Sequence, residues 1–271
     1  MNSLEFPLYF FLFVSKGLEQ GRKLNLVGEK VDISHALRLL RITLFGPTRD
    51  ELEGWQTDPA VAAEWLAASE ELALKDKYGE IIPVQDFFNI LPFKNGWVKV
   101  GEHTISHIDT DVFDIGGGGS VRIDLNEDKS IQPPYKVEPD YVPGGLVKMG
   151  IEVLGGASGF SPTEPCTGLA FCYNGEYLLI DAIPFLDQHL FARGISKNQV
   201  AAVFLTHLHD DQSSLFPLML MPHRVDLITT REIFNMAMNK ISCGIGWTLG
   251  AVCEHFNLVE VTLGERLNYS A

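Results

Sequence analysis

The chain has 271 residues, 46% of them hydrophobic and 21% charged, a balance typical of a globular protein and not of a disordered one. Its formal net charge is −14, and no run of Lys or Arg offers a local basic patch. Phosphate backbones and anionic lipid surfaces repel such a chain, so we expect neither nucleic acid nor membrane among its partners.

The N-terminus, MNSLEFPLYFFLFV, contains a short apolar run at Phe6–Val14. The run is too short to span a bilayer, and Glu5 stands where a signal peptide would carry positive charge. We interpret it as a buried strand. The four cysteines form no C-x-x-C pair, which together with the missing secretory signal predicts reduced thiols in a cytoplasmic protein.

Three helices are predicted next. Residues 33–42 carry apolar positions at helical spacing. Thr48 precedes Glu51 by three positions, which is the spacing of a capping box. A long helix follows from Asp58, rich in Ala, Leu and Glu, and we expect it to end at Gly79.

From Ile81 to about Ile131 the pattern changes to short alternating runs, and WVKVGEHTISHIDTDVFDI predicts half-buried strands. No G-K-[ST] follows the four glycines at 116–119, which predicts a turn there and argues against a phosphate-binding loop. Residues 129–145 are rich in Pro and Gly and predict an extended arm or a boundary. We therefore predict an N-terminal α+β extension of unknown role over residues 1–146.

Residues 147–271 are more regular. A strand and a Gly-rich turn come first, followed by a hairpin at Asn174-Gly175 and a helix that Gly194 closes. The remaining segments alternate between strand and helix: VAAVFLTH, SSLFPLMLM, RVDLITT, REIFNMAMNKIS and LVEVTLGERL. This alternation predicts a layered α/β fold.

The segment FLTHLHDDQ carries the clearest chemical signal, since a buried strand runs directly into His207. In an extended backbone His207, His209 and Asp211 share one side, while Asp210 points elsewhere, where it could hydrogen-bond to a ligand and not to the metal itself. Imidazole and carboxylate are natural ligands of Zn²⁺, Fe or Mn²⁺. A solvated turn in which Asp211 caps the next helical turn explains the same residues.

The stretch Thr206–Gln212, THLHDDQ, resembles the signature T-H-x-H-x-D-H of the metallo-β-lactamase superfamily. The strand before it, the hairpin that ends at Asp181 and the following LITTREIFNMAM are similar to the same family in the same order. The resemblance covers about residues 147–271 and implies a metallo-β-lactamase-like αββα sandwich. It leaves residues 1–146 unexplained.

The resemblance implies that His207 and His209 bind the first metal, Zn²⁺ in the first place, with Fe or Mn²⁺ as alternatives. Asp211 and Gln212 would bind a second metal, and Asp211 would have a catalytic role by orienting the attacking water. Gln212 replaces the family's histidine, and an amide oxygen is a weaker ligand than an imidazole, so the second site is doubtful. The implied activity is hydrolysis of a phosphodiester, thioester or lactam bond in a small-molecule substrate.

The family pattern also requires a third histidine well downstream, then a later Asp and His. His223 and His255 come too early for these positions. The chain thus predicts only the N-terminal half of the fold, and half a sandwich exposes the apolar face of its sheet, which is unfavourable. Residues 1–146, a second copy of the chain, or a missing C-terminal half of a longer protein would cover that face, and we favour the last.

Two other functions stay open. The first is a non-hydrolytic diiron or oxygen-binding protein, although such proteins usually have Glu at the position of His209. The second is a degenerate metal-free interaction domain, which Gln212 and the missing downstream ligands favour. Minor candidates are Cys166 as a residue that lines the site, and a polar strand face that would serve as a further metal site. That face would consist of His103, His107, Asp109 and Asp111.

Overall fold

The computed structural model of the protein describes residues 4–126, 132–139, 148–262 and 264–269. The helices are α1 (Glu5–Tyr9), α2 (Lys30–Phe45), α3 (Arg49–Gly54), α4 (Pro59–Leu72), α5 (Leu186–Ala192), α6 (Phe216–Met219), α7 (Arg231–Ile245) and α8 (Leu249–Cys253). The strands are β1 (Leu24–Gly28), β2 (Phe88–Pro92), β3 (Trp97–Val100), β4 (His103–Asp109), β5 (Val112–Gly116), β6 (Ser120–Asp124), β7 (Met149–Gly155), β8 (Gly168–Tyr173), β9 (Glu176–Ile180), β10 (Val200–Phe204), β11 (Val225–Thr229) and β12 (Phe256–Glu260). Across the described ranges, no helix is long and apolar enough to cross a membrane.

The N-terminal apolar run is helical, so the predicted strand at Phe6–Val14 was wrong. Helix α1 continues without a break into a π-helical turn, Phe10–Val14. Leu8, Phe11 and Leu12 are buried at helical spacing, while Phe10 lies on the outer side and is 55% exposed. A short apolar run does not distinguish a buried strand from a buried helix, and here packing against other helices decides for the helix.

The three predicted helices of the first part are present. Thr48 and Glu51 form the predicted capping box at the start of α3. The Asp58 side chain accepts hydrogen bonds at the start of α4, but this helix ends at Leu72 and not at Gly79. The chain turns back after α4 because the Ile82 N–H donates to the carbonyl of Leu74.

Two small sheets complete the first part. Strands β1 and β2 pair in parallel, and β3 to β6 form an antiparallel meander, as the alternating pattern predicted. The glycine run forms the tight turn between β5 and β6, where Gly117 and Gly118 have positive φ angles of 136° and 70°. Most of the Pro- and Gly-rich segment at 129–145 lies outside the described residues.

The second part is built on a six-stranded sheet with the order β12-β11-β10-β9-β8-β7. Strands β9 to β12 are parallel, and β7 and β8 add an antiparallel edge. The predicted hairpin joins β8 and β9, with φ angles of 50° at Asn174 and 87° at Gly175. Strands alternating with helices in this order confirm the predicted α/β class.

One face of this sheet is covered and the other is open. Buried side chains of the covered face, such as Leu179 and Val203, form one core with α5, α7 and α8. On the opposite face Met149, Ile151 and Tyr173 are 69%, 67% and 59% exposed. The described residues of the first part, 4–126 and 132–139, therefore do not cover these open positions of β7 and β8.

The helices of the first part pack against the outer side of the helical layer. Helix α2 lies along α7, where the Arg38 guanidinium donates to Asn239 Oδ1 over 2.6 Å. Ile42 belongs to the core of the six-stranded sheet. The division into two parts at residue 146 stays a prediction. The two small sheets precede this position and the six-stranded sheet follows it, but residues 140–147 lie outside the described ranges. Helix α2, from the first part, packs against α7 of the second.

Candidate metal centre

The ligand loop follows β10 at the carboxyl edge of the parallel strands, where sites in α/β folds gather. The backbone leaves the strand after Phe204 and turns at residues 210–212. The N–H groups of Gln212 and Ser213 close the turn by donating to the carbonyl of His209, both over 3.0 Å. Asp211 thus lies in a turn and not in the extended register predicted for it.

Asp181, at the end of β9, fixes the first residues of the loop. Its carboxylate accepts hydrogen bonds from the Thr206 N–H at 2.8 Å and from the Thr206 hydroxyl at 2.9 Å. The Thr206 Oγ1 also lies 2.8 Å from Nδ1 of His207. If the hydroxyl proton goes to the carboxylate, an Nδ1–H of His207 can donate to Oγ1, an arrangement that would leave the Nε2 lone pair available to a metal.

The two predicted histidine ligands lie together. The ring centroids of His207 and His209 are 4.7 Å apart, with the rings at 85°. Partial desolvation, and next the neighbouring His207, lower the pKa of His209, although the residue as a whole stays exposed. A lowered pKa favours the neutral imidazole, which is the form that binds a metal.

Asp211 lies against the Gly-rich loop that follows β7. A Cβ atom added to Gly159 would fall 2.3 Å from Oδ2 of Asp211, so only glycine allows this approach. The Cys166 thiol is buried nearby, and burial followed by the charge of Asp211 raises its pKa to about 11. At neutral pH this thiol is protonated, which argues against its use as a nucleophile.

Asp210 lies in a buried charge network, and the chain turns at this residue, so the extended backbone from which its direction was predicted does not reach it. Lys240 Nζ lies 3.5 Å from Asp210 Oδ1 and 2.6 Å from Glu5 Oε1. Burial raises the pKa of Asp210 although the ammonium of Lys240 opposes the shift. The roles of Glu5 and Lys240 were not predicted from the sequence. The available signal was that each is a lone charge on the buried, apolar side of a helix.

Several other candidates lie away from the centre. His223 lies two residues before β11 and His255 one residue before β12, at the amino edge of the parallel strands and opposite to the ligand loop. His107 stacks on Phe113 and lies 3.1 Å from a Glu29 oxygen, so it packs within the meander. The remaining members of that polar strand face assemble no metal site with it in the described part of the chain.

The donors fit a metal in part. The two imidazoles lie side by side, and imidazole is a natural ligand of Zn²⁺. Within the ranges that the structure describes, however, no group of three or more His, Cys, Asp or Glu side chains is arranged to hold an ion. Asp211 therefore neighbours the pair without completing a three-ligand group.

No protein-family model matches the chain, and no curated protein matches it. Several solved structures are similar to part of it, and three of them follow. The metallo-β-lactamase fold protein YhfI from Bacillus subtilis is 19% identical, with a TM-score of 0.36, over 45% of this chain and 48% of that protein. Human tRNase Z, short form, is 20% identical, with a TM-score of 0.34, over 41% of this chain and 43% of the human protein. A diphosphatase from the PhnP family is 20% identical, with a TM-score of 0.30, over 41% of this chain and 50% of the diphosphatase.

The chain thus spans about half the length of the solved structures that it matches.

Proposed function

We propose that the protein is a metal-dependent hydrolase in which His207 and His209 bind a divalent cation, Zn²⁺ before Fe or Mn²⁺. The observation that carries the proposal is the pair of imidazoles 4.7 Å apart, one of which lies 2.8 Å from the Thr206 hydroxyl that is bound to Asp181. A buried carboxylate behind a ligating imidazole is a common support of metal sites.

A bound cation would lower the pKa of a water molecule toward neutrality and polarise the bond to be broken. Three residues near the histidines would support that chemistry: Thr206, Asp181 and Asp211. We expect Thr206 and Asp181 to favour the proton at Nδ1 of His207, which leaves the Nε2 lone pair for the metal. Asp211, beside Gly159, is the residue that we expect to orient the attacking water. The substrate class is an ester-type bond, phosphodiester, thioester or lactam, in a small molecule.

We expect one metal per chain and not two. The residue after Asp211 is Gln212, whose amide oxygen is a weaker ligand for a borderline-soft ion than an imidazole nitrogen. Its backbone carbonyl accepts from the N–H of Ala182 over 2.8 Å, and this bond ties the end of the loop to β9.

A second candidate is a metal-free interaction domain. Two observations favour it: the described residues assemble no three-ligand group, and the sheet has an open apolar face that includes Met149 and Ile151. Large exposed apolar patches often mark interaction surfaces.

Elemental analysis of protein purified without chelator separates the two candidates. We expect about one equivalent of metal in the wild type and almost none after the double substitution His207→Ala/His209→Ala. The matched control is His223→Ala/His255→Ala, which removes two histidines from the opposite edge and should keep the metal. A wild type without metal would contradict the hydrolase and favour the interaction domain.

Activity is then measured with a nitrophenyl phosphodiester, a thioester and a chromogenic lactam. Turnover of one of them that disappears in the site variant, but not in the control variant, would support the hydrolase. If metal is bound and none of the three is cleaved, near-ultraviolet absorption on exposure to oxygen tests for a diiron protein.

A further inference from the structure

The first helix of the chain reaches under the ligand loop. Glu5, in the first turn of α1, is fully buried, and its Oε2 accepts a hydrogen bond from the Asp210 N–H over 3.0 Å. Its Oε1 lies 2.6 Å from Lys240 Nζ on α7 and accepts from the Thr43 hydroxyl on α2 over 3.1 Å. One carboxylate thus joins α1, α2, α7 and the loop.

Lys240 joins the same loop from the other side. Its ammonium donates to the carbonyl of Leu208 and to Oγ of Ser213, the latter over 3.3 Å. A charge this deeply buried is costly unless other groups satisfy it, so Glu5 and Lys240 hold one another in place. The backbone between His207 and Ser213 is thereby held at Leu208 and at Asp210, on both sides of His209.

Aromatic contacts extend the junction to the histidine itself. The Tyr9 ring packs edge-on against the His209 imidazole, with centroids 5.8 Å apart, and its hydroxyl donates to Glu5 Oε2 over 3.4 Å. Phe6 packs edge-on against Phe160, next to Gly159, at 5.6 Å. The helix therefore contacts both loops that border the candidate metal centre. The π-helical turn that follows is a rare form found often at functional sites.

We infer that the first helix, α1 (Glu5–Tyr9), is a part of the candidate metal centre. Glu5 is a positioning residue for the ligand loop, and Tyr9 is a positioning residue for the imidazole of His209. The consequence for metal binding rests on the proposed function, but the positioning itself is measurable in metal-free protein.

The first experiment uses the full chain, freed of metal, and measures hydrogen exchange of the Asp210 amide by NMR. Glu5→Ala removes the acceptor, and we expect exchange at least ten-fold faster. Glu5→Gln keeps an amide oxygen in the same place and should give an intermediate rate, which serves if the alanine variant does not fold. Glu19→Gln, an exposed glutamate paired with Lys16, is the control and should leave the rate unchanged.

The second experiment follows His209. Tyr9→Ala removes the ring and should shift the side-chain ¹⁵N signals of His209 in metal-free protein. It should also weaken Co²⁺ binding, followed by visible absorption, by about ten-fold. Tyr9→Phe keeps the ring and should bind Co²⁺ as the wild type does. Phe10→Ala, an exposed aromatic residue one position on, is the control.

The outcomes distinguish a failure of this inference from a failure of the proposed function. An unchanged Asp210 amide in both Glu5 variants, together with unchanged His209 signals in Tyr9→Ala, would overturn the inference. Shifts in the metal-free variants combined with a wild type that binds no Co²⁺ would support the positioning role and contradict the proposed function.

Discussion

Replacement of Lys240 by Met tests the buried charge network most directly. The side chain of Met is similar in length but removes the ammonium, which lies 2.6 Å from Glu5 Oε1 and 3.5 Å from Asp210 Oδ1. Breaking a buried ion pair by removing one partner costs about 3–5 kcal/mol, because an uncompensated charge stays behind. Here two carboxylates and the carbonyl of Leu208 lose their shared partner, so we expect a loss of about 4 kcal/mol.

The free energy of unfolding is measured by urea titration at pH 7 for the wild type, Glu5→Gln, Lys240→Met and the double variant. Glu5→Gln leaves Lys240 paired with Asp210, so it should cost less than Lys240→Met. The double variant should recover roughly 2 kcal/mol relative to the sum of the single changes, since coupled neighbours are not additive. A loss below about 1 kcal/mol in Lys240→Met, or simple additivity, would refute the reasoning.

Three further predictions concern the site and the core. Gly159→Ala should displace the carboxylate that lies against it and weaken metal binding at least ten-fold with little effect on thermal stability, whereas Gly156→Ala, which faces open space, should change neither. Thr206→Val should weaken metal binding about ten-fold and lower the unfolding free energy by about 1–2 kcal/mol, and Thr206→Ser should restore both; equal losses in both variants would show that the hydroxyl is not responsible. His189 is buried, and burial with the charge of Arg193 lowers its pKa to about 4. Its unfolded form binds a proton first, near pH 6.5, so its contribution is complete above pH 6.5 and is lost as pH falls toward 4. Between pH 7 and 4.5 the wild type should lose roughly 2 kcal/mol more than His189→Phe in urea titrations, and parallel losses would contradict this.

Local signals predicted the elements that local physics determines. The Asn174-Gly175 turn needs two positive φ angles, which these residue types accept, and both occur there. The capping box at Thr48 satisfies backbone donors within one helical turn, so its spacing alone suffices. A buried apolar strand runs directly into His207, and this local pattern was sufficient to predict the histidine pair at the edge of the sheet.

The parts that were missed depend on contacts between distant segments. The residues of Phe6–Val14 have no intrinsic preference strong enough to choose between strand and helix. The helix is selected by the packing of its apolar side against other parts of the fold, and this packing cannot be seen in the local sequence. The pairing of Glu5 with Lys240 joins opposite ends of the chain, and no spacing rule connects them. The only local signal was a lone charge on the apolar side of each segment. A buried charge requires a partner, but the sequence does not show which residue that partner is.

The ligand loop is held at three places, and this determines how much of the chain the candidate centre requires. Asp181 holds its start through Thr206, and Ala182 holds its end through the Gln212 carbonyl. Both come from the part that resembles the metallo-β-lactamase fold. The middle of the loop depends on Glu5, from the part that the resemblance leaves unexplained. Without Glu5 the Asp210 N–H would be buried beside an ammonium and would have no acceptor, which costs about 1–3 kcal/mol. The loop would then gain by moving, and His209 lies next to that amide. The first helix therefore contributes to the same structural unit as the histidines, even though it supplies no ligand.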